Sequence, residues 1–242
     1  MELVKEHWTL ADGEAFTKYL KSLGSTDKSK IEWASKLINT QLPVLFIKTP
    51  VVKSVIKEIL KGNFEEFLSL NLWETYENTS INGSIISEIK NFDTMKRYFI
   101  PYVKRIDNWA SCDLMSFKIK KEERVKYFEL AESLTHSDKE FVKRSGFRLM
   151  FGYLDTEEYL DRIFACMNRF QNETQYYVNM IIAWLLADCF IKHRDRTYAF
   201  LQTHKLNKFA INKGISKCRD SYRVSASDKE MLLSYKCTKR EK

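Results

Sequence analysis

Glycine and proline are scarce, 7 and 3 in 242 residues. So few turn formers exclude a sheet protein with many tight hairpins. No run of about eighteen uncharged apolar residues occurs, which excludes a membrane-spanning helix on pattern grounds. The opening stretch Met1-Glu2-Leu3-Val4-Lys5-Glu6-His7 lacks the apolar centre of a secretion signal. Five cysteines (Cys112, Cys166, Cys189, Cys218 and Cys237) are odd in number and spread singly, with no Cys-x-x-Cys pair. That usage predicts packed thiols in a reducing cytoplasmic setting rather than a disulfide or zinc framework. His7, His136, His193 and His204 have no metal-ligand spacing, so no metal is expected. A glycine-rich phosphate loop, a nucleophile elbow, a His-Glu-x-x-His helix and a recognition-helix array are all missing.

What is present is helical throughout. Apolar content of 44% with 30% charge suits a globular core. Thr9 to Asp12 reads as the cap of a helix ending at Gly24, and Ser25-Thr26-Asp27 opens a second. Thr49-Pro50 opens a third, with proline at the first helical position. Further helices are expected at Phe64–Leu70, Trp73–Ile89 and from Asp93 through Val103. Asp107 or Asn108 caps a short helix from Trp109 to Asp113. Then follow Glu122–Ser133, Glu140–Tyr153, Glu157–Phe170 behind Asp155, Gln175–Ile191, Arg196–His204, Asn207–Tyr222 and a basic tail. Helix pairs recurring at about forty residues predict an α-solenoid of the HEAT type, the alternative being a compact irregular helical domain. No Gly-, Ser- or Pro-rich linker divides the chain, so one domain over 1–242 is expected.

Charge is uneven. Residues 192–242 hold 14 Lys or Arg and 5 Asp or Glu, an excess of +9, whereas the preceding 191 hold 26 and 27. A basic end of this kind suits either a polyanionic partner or simple solvation. Lys143, Arg144 and Arg148 lie in one helix, and the last two, four apart, share a face that must look to solvent or to an anion. Lys213, Lys217, Arg219 and Arg223, beside Tyr222, form a second cationic set. Such faces contact phosphates without reading bases. Trp109 and Asp113 are also four apart, which puts an aromatic surface beside a carboxylate on one helical face. That pair reads either as a buried Trp with a capping or salt-bridged Asp, or as a receptor for a flat cation. Trp184 sits in a segment apolar nearly all round, as expected of a central core helix.

Several pieces in order, Thr49-Pro50, Trp73-Glu74, Asn108 to Asp113, Val142-Lys143-Arg144, Tyr176 to Leu186 and Ile215 to Arg223, make the chain resemble the DNA alkylation repair family of HEAT-like repeat glycosylases (AlkD type). The resemblance implies an α-solenoid with a concave, positively charged groove for duplex DNA. It implies excision of N3- and N7-alkylated purines without flipping the base, with no cofactor, by a monomer that needs no membrane. Under it, Trp109 and Trp184 are the aromatic pair around the damaged nucleotide's sugar and Asp113 is the catalytic carboxylate. Arg144 is the arginine on the DNA backbone, with Arg148 a second candidate. One departure is local: Leu45-Phe46-Ile47-Lys48 stands where the family's helix is led by glycine. The rivals are a HEAT-like protein that binds DNA or RNA structure without cutting it, and a protein-interaction scaffold.

Overall fold

The structure, a computed structural model, describes residues 1–237. The final basic positions of the C-terminal tail, within 238–242, lie outside the described residues. All regular structure among the described residues is helical, as the scarcity of turn formers requires. The chain gathers into two compact units, Met1–Lys118 and Ile119–Lys242. No described helix is long and apolar enough to cross a membrane.

The first unit contains α1 (Leu10–Leu23), α2 (Lys28–Ile38), α3 (Thr49–Ile59), α4 (Phe64–Ser69), α5 (Tyr76–Glu88), α6 (Phe92–Arg105) and α7 (Trp109–Asp113). Its caps follow local rules. Thr9 and Asp12 form a reciprocal capping box at α1, and Asp27 and Asn63 accept from backbone N–H groups at the starts of α2 and α4. The helix expected from Trp73 starts instead at Tyr76, because Thr75 and Asn78 close a capping box there and leave Trp73 outside. Asn91, not Asp93, caps α6. Trp8, Phe16 and Phe67 meet edge-to-face at 5.0–6.4 Å in the core under α1 and α4.

Helix α5 buries an unusual share of polar groups: Glu77, Asn78, Thr79, Asn82 and Ser87. Glu77 explains the departure at Leu45–Lys48. Phe46 has φ 55°, the left-handed region that normally favours glycine. The buried Glu77 carboxylate accepts the N–H of Leu45 at 3.0 and 3.1 Å and of Ile47 at 3.4 Å, holding the turn from both sides of Phe46. Gly83 allows the closest approach in the unit, since a Cβ there would lie 2.3 Å from the Tyr102 hydroxyl.

The second unit contains α8 (Arg124–Thr135), α9 (Glu140–Met150), α10 (Leu160–Asn168), α11 (Tyr176–Lys192), α12 (Arg194–Thr203), α13 (Lys208–Asp220) and α14 (Ala226–Leu233). The last of these was expected only as basic tail. Helix α9 ends at Met150 and tightens into a 3₁₀ turn over Phe151–Tyr153. Asp155 caps nothing; it forms a two-pronged pair with Arg124 at 2.8 and 3.0 Å, and α10 starts only at Leu160. Helix α11 packs against α9, α12 and α13, which is why its sequence is apolar nearly all round. Cys112, Cys166, Cys189 and Cys218 are buried free thiols filling small core volumes, and Cys237 is exposed.

Candidate functional site

Of the two capping candidates before α7, Asn108 takes the role. Its side chain accepts the Ser111 N–H at 2.8 Å from an extended backbone. Asp107 instead reaches across the unit: it accepts from the Thr40 hydroxyl at 2.8 and 3.0 Å, the Gln41 N–H at 2.7 Å and the Asn108 amide at 2.9 Å. Asn108, Ser111 and Cys112 are fully buried, so this side of the five-residue turn is its anchor. The Ser111 hydroxyl lies 3.1 Å from the Thr79 hydroxyl, and the Tyr102 hydroxyl is 3.0 Å from the Thr79 carbonyl and 3.2 Å from the Ser111 carbonyl.

Trp109 and Asp113 occupy the other side of α7 and are both half-buried. The Trp109 indole donates to the Leu37 carbonyl at 3.0 Å, which fixes one edge of the ring against the end of α2. Trp33 and Leu37, one helical turn apart on α2, are 60% and 51% exposed. An aromatic face and a carboxylate therefore project from one turn whose backbone is braced from three directions. That arrangement suits a cation, or a group that becomes cationic, lying against the ring.

In the second unit, Trp184 is half-buried rather than wholly in the core. Its ring centroid is 4.5 Å from that of Phe151, and the Arg148 guanidinium lies 5.6 Å from the same Phe151 ring. Asp188, also half-buried, lies one turn further along α11 from Trp184. Burial raises the Asp188 carboxyl above its ordinary value, and Lys192, Arg223, the neighbouring Trp184 and Arg148 act against that rise. Sequence reasoning did not single out Asp188. The signal was there, because Trp184 and Asp188 repeat the spacing of Trp109 and Asp113.

The cations of α9 divide. The expectation that Arg144 and Arg148 share a face open to solvent or an anion fails for Arg144. It is 5% exposed and donates to the Tyr177 carbonyl at 2.7 Å, because α9 turns that face toward the N-terminal end of α11. Lys143 is likewise turned inward, paired with Glu173 in a largely buried ion pair. Burial works to raise the Glu173 carboxyl, yet the Lys143 pair and the N–H groups of Gln175 and Thr174 hold it below the usual range. Arg148 is half-buried and, unlike Arg144, not enclosed in the core.

Lys213 is exposed on α13, whereas Lys217 and Arg219 are half-buried and the Arg219 Nε is enclosed without a hydrogen-bond partner among the described residues. Arg223 falls beyond the end of α13, exposed and 5.6 Å from the ring of the 88% exposed Tyr222. The four cations therefore do not form one helical stripe. No group of three or more potential metal ligands occurs among the described residues.

No curated protein matches the chain. The family model described as DNA alkylation repair enzyme matches residues 8–218. That span covers α1 to most of α13 and takes in Trp109, Asp113, Arg144, Arg148 and Trp184, while Arg219 and Arg223 fall just past it. The chain belongs to the DNA alkylation repair enzyme family, and its role lies in the repair of alkylated DNA.

Proposed function

We propose that the protein is a DNA glycosylase that removes cationic N3- and N7-alkylated purines from duplex DNA by hydrolysing the N-glycosidic bond, without a cofactor and as a monomer. In this reading its helix pairs follow a HEAT-like solenoid with a cationic groove for the duplex. The observation that carries the proposal is the pairing of Trp109 and Asp113 on one braced turn, in a family that repairs alkylated DNA.

The chemistry needs little from the protein. An alkylated purine of this kind already carries a positive charge and leaves readily as a neutral base, taking the bonding pair of the C1′–N bond. Positive charge then builds on the sugar. Asp113 stabilises that charge and orients the water that forms the new C1′–O bond, the water's proton being released and an abasic site left. Trp109 offers its ring face to the sugar, and Trp184 is assigned the second aromatic role. Arg148 is the α9 contact to the DNA backbone, Arg144 serving to tie α9 to α11. Lys213, Lys217, Arg219 and Arg223 add phosphate contacts toward the basic C-terminal end.

The test is release of free base from duplex DNA carrying N7-methylguanine or N3-methyladenine, comparing wild type with Asp113→Asn after a folding check on both. Wild type should release the base and the variant should be slower by about 10²–10³. Salt-dependent DNA binding by both proteins with no release by either would replace this reading with a non-catalytic DNA-binding one.

A further inference from the structure

A cleft of about 320 Å³ opens in the first unit, lined by residues of α5, α6 and the Leu68–Trp73 stretch. Three aromatic rings (Trp73, Tyr98, Tyr102) and two guanidinium groups (Arg97, Arg105) face it, and no carboxylate is among its lining residues. Its volume lies at the lower end of small-ligand sites, the size of a mononucleotide rather than of a polymer segment.

The rim is organised around Asn71. This residue has φ 54°, a left-handed conformation that asparagine tolerates better than most. Its side-chain carbonyl accepts from the Trp73 indole at 3.0 Å and from Arg105 Nη1 at 2.8 Å. One amide thus sets both the ring and the guanidinium, with Arg105 Cζ 4.3 Å from the Trp73 ring centroid. The Arg105 partner is a neutral amide, and Glu74 acts on it only through space. Among the described residues, no carboxylate neutralises its charge on contact. Arg97, at the other corner, lies over Tyr98 at 4.9 Å and is held by Glu65 at 2.6 Å.

We propose that this cleft binds a small anion that carries a flat ring, a nucleoside 5′-monophosphate. A flat base lies against the Trp73 and Tyr98 rings, while the phosphate takes N–H groups of Arg105 beyond the one that Asn71 holds, as a charge-assisted contact. The site is separate from Trp109 and Asp113. It adjoins them through Tyr102, whose ring is 5.6 Å from that of Trp73 and whose hydroxyl is 3.2 Å from the Ser111 carbonyl in α7.

The experiment titrates the full chain calorimetrically with guanosine 5′-monophosphate, guanosine and inorganic phosphate. Variants Arg105→Gln, Arg97→Gln and, at an exposed position of α1 away from the cleft, Lys18→Gln are run alongside, each checked for helix content. The monophosphate should bind one per chain, more tightly than guanosine or phosphate alone. Arg105→Gln should weaken it about ten- to a hundredfold, as expected for loss of a hydrogen-bonded charge, with a smaller loss in Arg97→Gln and none in Lys18→Gln. If Arg105→Gln does not fold, a loss in Arg97→Gln against an unchanged Lys18→Gln supports the site in its place, and no loss in Arg97→Gln overturns it. Absence of binding at millimolar nucleotide, equal binding of phosphate alone, or equal weakening by Lys18→Gln would each overturn the proposal. Base release is not the readout, so the outcome stands apart from that of the glycosylase assay.

Discussion

The indole Nε1 of Trp109 donates to the Leu37 carbonyl at 3.0 Å, across 72 residues of sequence. An aromatic side chain on a five-residue helix would otherwise be free to change rotamer, so this bond and the Asp107 clip beneath it decide where the ring faces. Thr40 and Gln41, two and three residues past the end of α2, are the groups that Asp107 holds.

Asp107→Ala should therefore lower base release without a matching loss of DNA affinity. It removes the acceptor for Thr40, Gln41 and Asn108 together and lets the end of α2 move relative to Trp109. Misplacement of a positioning surface by about 1 Å can cost on the order of 100-fold in rate. Single-turnover kinetics beside fluorescence-anisotropy binding check this, and an equal loss in both would assign Asp107 to binding or folding instead.

Arg144 and Arg148 should separate in a salt titration. Arg148→Ala should reduce the slope of log K against log[salt] by about one, as loss of a single phosphate contact does. Arg144→Ala should leave the slope unchanged and destabilise the fold by roughly 1–3 kcal/mol, since it strips the Tyr177 carbonyl of a buried charged donor. Urea unfolding and binding at several salt concentrations measure the two effects.

Glu77 predicts a pH dependence of stability. Burial raises its carboxyl above the ordinary value, opposed by backbone N–H groups of Leu45, Glu77 itself, Ile47 and Phe46. The folded protein then keeps this proton over a pH range where the unfolded chain has lost it, so folding takes up a proton there. The associated stability is fully present below the ordinary glutamate range and declines as pH rises through the raised value. Glu77→Gln cannot titrate. The stability of wild type relative to Glu77→Gln should thus fall with rising pH across that window, as followed by urea denaturation at pH steps; a flat or rising difference would refute the assignment.

Gly83→Ala should destabilise by about 1–3 kcal/mol, the usual range for overpacking. The new methyl would meet the Tyr102 hydroxyl at 2.3 Å and its Cζ at 2.7 Å. Adding Tyr102→Phe removes the closest of these atoms, so the double variant should be less destabilised than the sum of the singles, a coupling that a double-mutant cycle in urea measures.

What the sequence by itself determined is local in origin. All-helical class followed from the scarcity of turn formers and from apolar residues at helical spacing. The cap at Thr9, the proline opening of α3 and the one-turn pairing of Trp109 with Asp113 depend on neighbours within four residues, so they are legible in the chain. Tertiary structure decided the rest, because the deciding partners lie about 30 to 70 residues away. Arg144 looks the same as Arg148 along the helix until Tyr177 meets it from α11. Asp107 and Asn108 are equal capping candidates until Thr40 and Gln41 claim the first. Phe46 turns left-handed without glycine where the Glu77 carboxylate holds the N–H groups on either side of it. A charge's sequence position tells which face of its helix it occupies. Only the packing of that face tells whether the charge meets water, a carbonyl or a phosphate, since burial without a partner is what the fold cannot sustain.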